Sequence, residues 1–319
     1  MVKLTKLQRD EQRAVRLQEI ETNLRALSAD QRRTLIEDLI GDFFVDARAT
    51  LVKWSKITGQ SAQIDTGYIA QHLASMVLQT PGQGFKGKGV DLVDGSEVKS
   101  ASIVSGVDRP RWNHNMGTVG DDHKREANGT KTKGFVYLNE TPFIFYVLFD
   151  RVHDAVGVPT SRLRVRCWCV NARADKAWRF LFSRYLQTRE GNTYNLQLHP
   201  PVGYDDSIVV NELGNLDMAN SLVLDVHFQL PTLGKKVHAD WQVAKLEIPR
   251  DFDSGCVALA YVSGGRPSRL ENELEGSTNL ENLQLGFQEM DTPATASVTG
   301  IPAAVFDASK LDELLDPEE

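Results

Sequence analysis

The chain of 319 residues lacks most of the features that would mark a secreted, membrane or nucleotide-binding protein. It has only three cysteines, Cys167, Cys169 and Cys256, too few and too odd in number for a disulfide framework, so a reducing cytoplasm is expected. The opening "MVKLTKLQRDEQRAVRLQEIE" is charged from its third residue and has no apolar signal-peptide core. The most apolar run, "PFIFYVLF" at 142–149, is far too short to span a bilayer and suits a buried strand. No repeat or low-complexity tract occurs. "GQGFKG" (82–87) has the glycine spacing of a phosphate loop but neither the Gly-Lys-Ser/Thr ending nor a following helix, which excludes nucleotide binding.

A uniform charge is missing too. The net charge of −7 reports mainly the tail, because residues 269–319 hold 2 Lys/Arg against 12 Asp/Glu. Residues 151–189, by contrast, hold nine Lys/Arg against two acids. A basic surface beside a near-neutral body is compatible with phosphate binding. The stripe Arg162, Arg164, Arg166, Arg173, Lys176 and Arg179 is the candidate for backbone phosphate contacts, the alternative being solvated arginines on a strand and a helix.

Periodicity predicts a helix over the first 27 residues and a second, longer one opened by a Ser28–Gln31 capping box, with helical spacing kept as far as Leu51. A third covers "GYIAQHLASMVLQ" (67–79) and stops at "TPGQG". A polar stretch at 105–134 reads as a long functional loop. Strands are expected at 142–149, 162–170, 194–199, 207–211 and 221–229, with one or two more in 242–260, and a helix at 174–189. This order implies an α/β (α+β) protein, a central mixed sheet flanked by helices. Three regions follow: N-terminal helices (1–60), a core with its loops (61–265) and an acidic C-terminal arm (266–319) expected to be peripheral or partly disordered.

The chemistry concentrates in "GKGVDLVDGSEVKSA" (87–101). Its spacing predicts a strand Val90–Val93, a tight turn at Asp94-Gly95 and a return strand that alternates Glu97 and Lys99 onto one face, near Asp91. Two carboxylates so close repel unless a cation lies between them, and Mg²⁺ favours one or two carboxylates, waters and a substrate phosphate. A lysine one alternation beyond the second acid can hold attacking water or donate to phosphate oxygens. The competing reading is a surface ion pair.

Other clusters carry weaker signals. Asp38, Asp42 and Asp46 form an i, i+4 stripe that reads as a solvated helix face. Cys167 and Cys169 share a strand face as core thiols, since no usual zinc spacing links them to His153 or His199. "RPRWNHN" offers Arg109, Arg111, Asn113, His114 and Asn115, and Arg and Asn are side chains that read guanine and adenine in the major groove. An HNH reading of His114 fails for want of a second His-Asn pair at suitable spacing. Lys124 and Arg125 extend the basic character of this stretch, while Asp122-His123-Lys124 sits in no strand and is set aside as a catalytic motif.

Asp91…Glu97-Val98-Lys99 resembles the active-site motif of the PD-(D/E)xK nuclease superfamily, and "GYIAQHLASMVLQTPGQGFKGKGVDLVDGSEVKSA" is similar to MamI-type type II restriction endonucleases. The resemblance implies Asp91 and Glu97 as metal ligands, Lys99 as the assistant to the nucleophilic water, Mg²⁺ as cofactor and double-stranded DNA as substrate. It also implies a homodimer and a cognate DNA methyltransferase. Val90 stands where the superfamily has proline. Where many relatives carry a glutamate on the preceding helix, this chain offers Gln71, a candidate to orient water in the site. A repair or junction-resolving nuclease and a non-catalytic DNA-binding regulator are the alternatives.

Overall fold

A computed structural model of the chain describes residues 5–60, 62–84, 90–102, 109–116, 124–125, 127–153, 159–188, 195–231 and 235–248, with short strands at Val257–Leu259 and Phe287–Glu289. Apart from the second of these strands, the expected acidic arm lies outside the described residues, as do Gly87, Gly89 and Cys256. No helix among the described residues is long and apolar enough to cross a membrane.

Two capping boxes start the chain: Thr5 with Gln8 opens α1 (Lys6–Ala26), and the expected Ser28 with Gln31 opens α2 (Ala29–Gly41). The second helix is not uniform. It widens into a π turn at Asp42–Ala47 and resumes as α3 (Arg48–Thr58), ending on left-handed Gly59. Asp38, Asp42 and Asp46 are exposed, the solvated face expected of them. Next comes α4 (Thr66–Leu78), capped by the Asp65 side chain on the Gly67 N–H.

The mixed sheet has the order β1 (Glu97–Ser102), β3 (Phe143–His153), β4 (Pro159–Asn171), β8 (Leu222–Gln229) and β9 (His238–Ala244). β1 runs parallel to β3, and every other pairing is antiparallel. The apolar run of β3 is explained by burial on both faces. Phe143, Phe145, Val147 and Phe149 enter one core with Ile36 and Ile40 of α2 and Leu73 and Val77 of α4. Ile144, Tyr146 and Leu148 enter a second core with Trp178 and Phe182 of α6 (Lys176–Thr188). Each such side chain stabilises the fold by roughly 1.5–3 kcal/mol. Cys167 is buried in the first core with Cys169 against it, both free thiols, and burial pushes both thiol pKa values up.

The polar stretch after β1 is more structured than its composition implied. It contains β2 (Trp112–Asn115), paired antiparallel with β5 (Asn195–Leu198), because Trp112 and His114 alternate into the second core. It ends in α5 (Lys133–Phe135), which runs on into a π turn at Val136–Glu140. A hairpin of β6 (Ile208–Asn211) and β7 (Gly214–Asp217) follows β5, joined to it through a bridge between His199 and Val210. β7 carried no strand signal in the sequence, and β9 begins earlier than the expected 242.

The predicted strand at Val90–Val93 is absent. Both Asp91 N–H and Leu92 N–H donate to the Ser96 carbonyl, at 3.2 and 3.1 Å, and Gly95 N–H returns to Leu92, a loop too tight for a ladder. These residues join the segment after α4 instead, with Val93 N–H donating to the Pro81 carbonyl and Gln83 N–H to the Asp91 carbonyl, each at 3.0 Å. Gly95 has φ +94°, and a Cβ there would lie 3.5 Å from Pro142 Cδ. Gly95→Ala therefore forces a side-chain-bearing residue into a region costing about 1–3 kcal/mol. The expected outcome is a Tm lower by several degrees in calorimetry; an unchanged Tm would show that the turn relaxes freely.

Candidate active site

The site forms where the turn delivers Asp91 to the free edge of β1. An edge strand leaves alternate backbone groups unpaired. Asp91 Oδ2 takes one of these, accepting from the Val98 N–H at 2.8 Å, while its Oδ1 accepts from Gln71 Nε2 at 2.6 Å. Helix α4, packed against β1, thus contributes Gln71 and the turn contributes Asp91. Within β1, Val98 points into the first core, so Glu97 and Lys99 both face the other way. Lys99 Nζ donates to Glu97 Oε1, and both side chains are largely buried.

A further member had no motif to reveal it. Tyr137, on the π turn that follows α5, donates its hydroxyl to Glu97 Oε1 at 3.2 Å, and Lys99 Nζ lies 5.9 Å from its ring centroid. Burial first, and then the charge of Glu97, pushes the Tyr137 hydroxyl pKa up, so it remains a proton donor. Behind it, His114 packs edge-on with ring centroids 5.2 Å apart, and His114 Nε2 is 2.8 Å from Tyr146 Oη.

The Asp91 carboxyl is pushed up to about 6, by burial first and by Glu97 second, against the opposing pull of the Val98 N–H, Lys99 and Gln71. One lysine does not fully compensate two carboxylates. This hard-oxygen donor set, two acids beside the Gln71 carboxamide, fits a divalent cation such as Mg²⁺. Among the described residues no cluster of three or more His, Cys, Asp or Glu forms, so such an ion would rest on two carboxylates and neutral oxygens.

Several expected DNA contacts are placed differently. His114 is fully buried between Tyr137, Tyr146, Trp178 and Phe182, and burial pushes its pKa well down, so it is a neutral core ring and not a base reader. Arg166, 1% exposed, donates to the carbonyls of Pro201 (2.5 Å) and Asp206 (3.0 Å), and is a strut beneath the 200–206 segment rather than a phosphate contact. Arg164 is engaged by both oxygens of Asp225, at 2.8 and 2.7 Å, and by Asp205 at 2.8 Å. Arg179 is buried and Arg173 donates to the Glu140 carbonyl at 2.8 Å, so most of the stripe serves the fold. The missed signal was spacing: arginines alternating with Leu163, Val165 and Cys167 mark the second face of a doubly buried strand. Arg109, Arg111, Asn113, Asn115, Lys124 and Arg125 are exposed.

The fold is that of the restriction endonuclease class: the model of the MamI restriction endonuclease family matches residues 53–233, which span α4, β1 and the strands β3, β4 and β8 of the central sheet. The chain is also 51% identical, over 268 residues, to the Type II restriction enzyme MamI of Microbacterium ammoniaphilum, covering 84% of this chain and 83% of that protein. It belongs to the MamI restriction endonuclease family. No solved structure matches it.

Because the native state raises the Asp91 pKa, it binds this proton more tightly than the unfolded chain does. Stability is therefore lost as pH rises from about 4 through about 6. Asp91→Asn removes that loss, and rotation of the Gln71 amide preserves both hydrogen bonds. In chelator, the variant is expected to melt above the wild type at pH 8, with the gap closing toward pH 4. A gap that does not vary with pH would contradict an ionised, destabilising Asp91.

Proposed function

We propose that the protein is a Mg²⁺-dependent type II endonuclease that hydrolyses double-stranded DNA at a defined sequence. The observation that carries this is the convergence of Asp91, Glu97 and Lys99, braced by Gln71 and Tyr137, in a chain of the restriction endonuclease family. Asp91 and Glu97 are the residues that would hold the ion. When bound, it supplies Lewis acidity, making water easier to deprotonate and offsetting charge that develops on the phosphodiester.

The chain's own side chains do the rest. Val98 N–H and Gln71 fix the Asp91 carboxylate so that it does not rotate away from Glu97. Tyr137 holds Glu97 from the other side. Lys99 is the one ammonium in contact with this acid among the interactions described. It is positioned to order the attacking water and to donate to a non-bridging phosphate oxygen as negative charge grows. Arg109 and Arg111, with the polar strand that follows them, and Lys124 and Arg125 are the proposed DNA contacts, the strand amides reading bases and the cations also positioning phosphates.

The test is incubation of plasmid DNA with purified protein and Mg²⁺, followed by sequencing of the ends. Discrete ends, abolished by chelator, are expected. Glu97→Gln and Lys99→Met should each lower the cleavage rate by about 100- to 1000-fold, and Tyr137→Phe by about tenfold. Mg²⁺ should also raise the Tm of the wild type but not of the Asp91→Asn, Glu97→Gln double variant. Full activity in chelator would end the metal assignment, and random degradation would end sequence specificity.

We further propose a homodimer working in the cytoplasm beside a cognate DNA methyltransferase, since a palindromic site pairs with two-fold symmetry. Supporting it, α1 buries no side chain and exposes Leu7 and Val15, and α3 exposes Trp54 and Ile57. Sedimentation at micromolar protein should give twice the 35.5 kDa chain mass. A monomer both free and on DNA would refute the dimer.

A further inference from the structure

The two-stranded ribbon of β2 and β5 has two chemically distinct faces. Directly opposed residues of an antiparallel pair share a face. Trp112 opposes Leu198 and His114 opposes Leu196; Trp112, Leu196 and Leu198 belong to the second core, and His114 is buried against its rings Tyr146, Trp178 and Phe182. Asn113 opposes Gln197 and Asn115 opposes Asn195. This outer face is a patch of four carboxamides from two segments 80 residues apart in sequence, with Asn113, Asn115 and Asn195 exposed and Gln197 half-exposed.

The ribbon is mounted rigidly. Trp112 Nε1 donates to the Val147 carbonyl at 2.9 Å, His114 bonds Tyr146, and Asn211 Nδ2 holds the Gln197 carbonyl at 2.7 Å. It is also continuous with the candidate active site, because His114 stacks edge-on against Tyr137, which donates to Glu97. Arg111, exposed, enters the strand on the same face as Asn113. A two-stranded β-ribbon fits the major groove of B-DNA, and Asn and Gln amides pair bidentately with the N6 and N7 edge of adenine.

The geometry points to the β2–β5 ribbon as the major-groove reading element, with Asn195 and Gln197 acting alongside Asn113 as specificity-determining residues for adenine-containing positions of the cleaved sequence. This rests on the proposed endonuclease activity. Arg111 at the ribbon's entry supplies the cation that a phosphate or a guanine requires, whereas the four amides carry no net charge. The face is therefore built to discriminate bases more than to add affinity.

The experiment is cleavage of a duplex library, in which every position around the wild-type site is varied, by full-length wild type, Asn195→Ala, Gln197→Ala and Asn195→Asp. Wild-type cutting at discrete sites establishes the activity itself, so its absence would sink the endonuclease reading and this proposal with it. Given wild-type cutting, the alanine variants are expected to lose about tenfold or more discrimination at one or two adenine positions. They should retain the wild-type Tm, so that the altered profile reports base selection and not folding. Asn195→Asp should switch preference at its position toward a cytosine amino group. An unchanged sequence profile in all variants overturns the proposal, and so does a uniform loss of cleavage with an unchanged profile, which would mark a phosphate-positioning surface.

Discussion

Asp91 accepting the Val98 N–H at 2.8 Å is the interaction on which the site depends. An edge strand with an open N–H is a template for unwanted pairing. Here a side chain closes it, and the same oxygen-bearing group is thereby fixed next to Glu97, the residue preceding Val98. Satisfying the backbone and assembling the site are one event. The cost is electrostatic: a part-buried carboxylate beside a second one is held away from its ordinary pKa.

That cost is tolerated because the surroundings leave the acids little freedom. Gln71 reaches Asp91 from α4, Tyr137 reaches Glu97 from a π turn, and Lys99 adds the positive charge. Tyr137 lies on the π turn that directly follows α5, and from there its hydroxyl reaches Glu97 of β1. Tyr137 in turn leans on His114, so the inward side of β2 contributes to the packing of the acids while its outward side carries amides.

The buried charges elsewhere perform a different task. Arg166 and Arg164 on β4 tie down the 200–206 segment through its carbonyls and Asp205, Asp225 of β8 holds Arg164 in place, and Asp150 accepts the Gly203 N–H at 2.7 Å. A guanidinium so enclosed is costly to bury, and the carbonyls of Pro201 and Asp206, with the Asp150 carboxylate beside it, offset that cost for Arg166. Burial and the neighbouring Arg164 push the Arg166 pKa down to about 10, still well above neutrality.

Local pattern sufficed for much of the chain. The capping box at Ser28, the amphipathic α4, the apolar β3 and the Asp91, Glu97, Lys99 grouping are all set by neighbours within a few residues, where helical and strand periodicity act. What sequence left open were matters of register and enclosure. The ladder expected at Val90–Val93 gave way to a tight turn because Ser96 captures two N–H groups. His114 and Arg166 carry polar side chains into places that only the second face of the sheet makes interior. The amides of Asn195 and Gln197 met those of Asn113 and Asn115 through pairing of strands that β3, β4 and α6 separate in sequence. Sequence alone determined which groups can do chemistry, since composition and period reside in the chain itself; tertiary structure decided which of them face one another, because that follows from packing between segments distant along it.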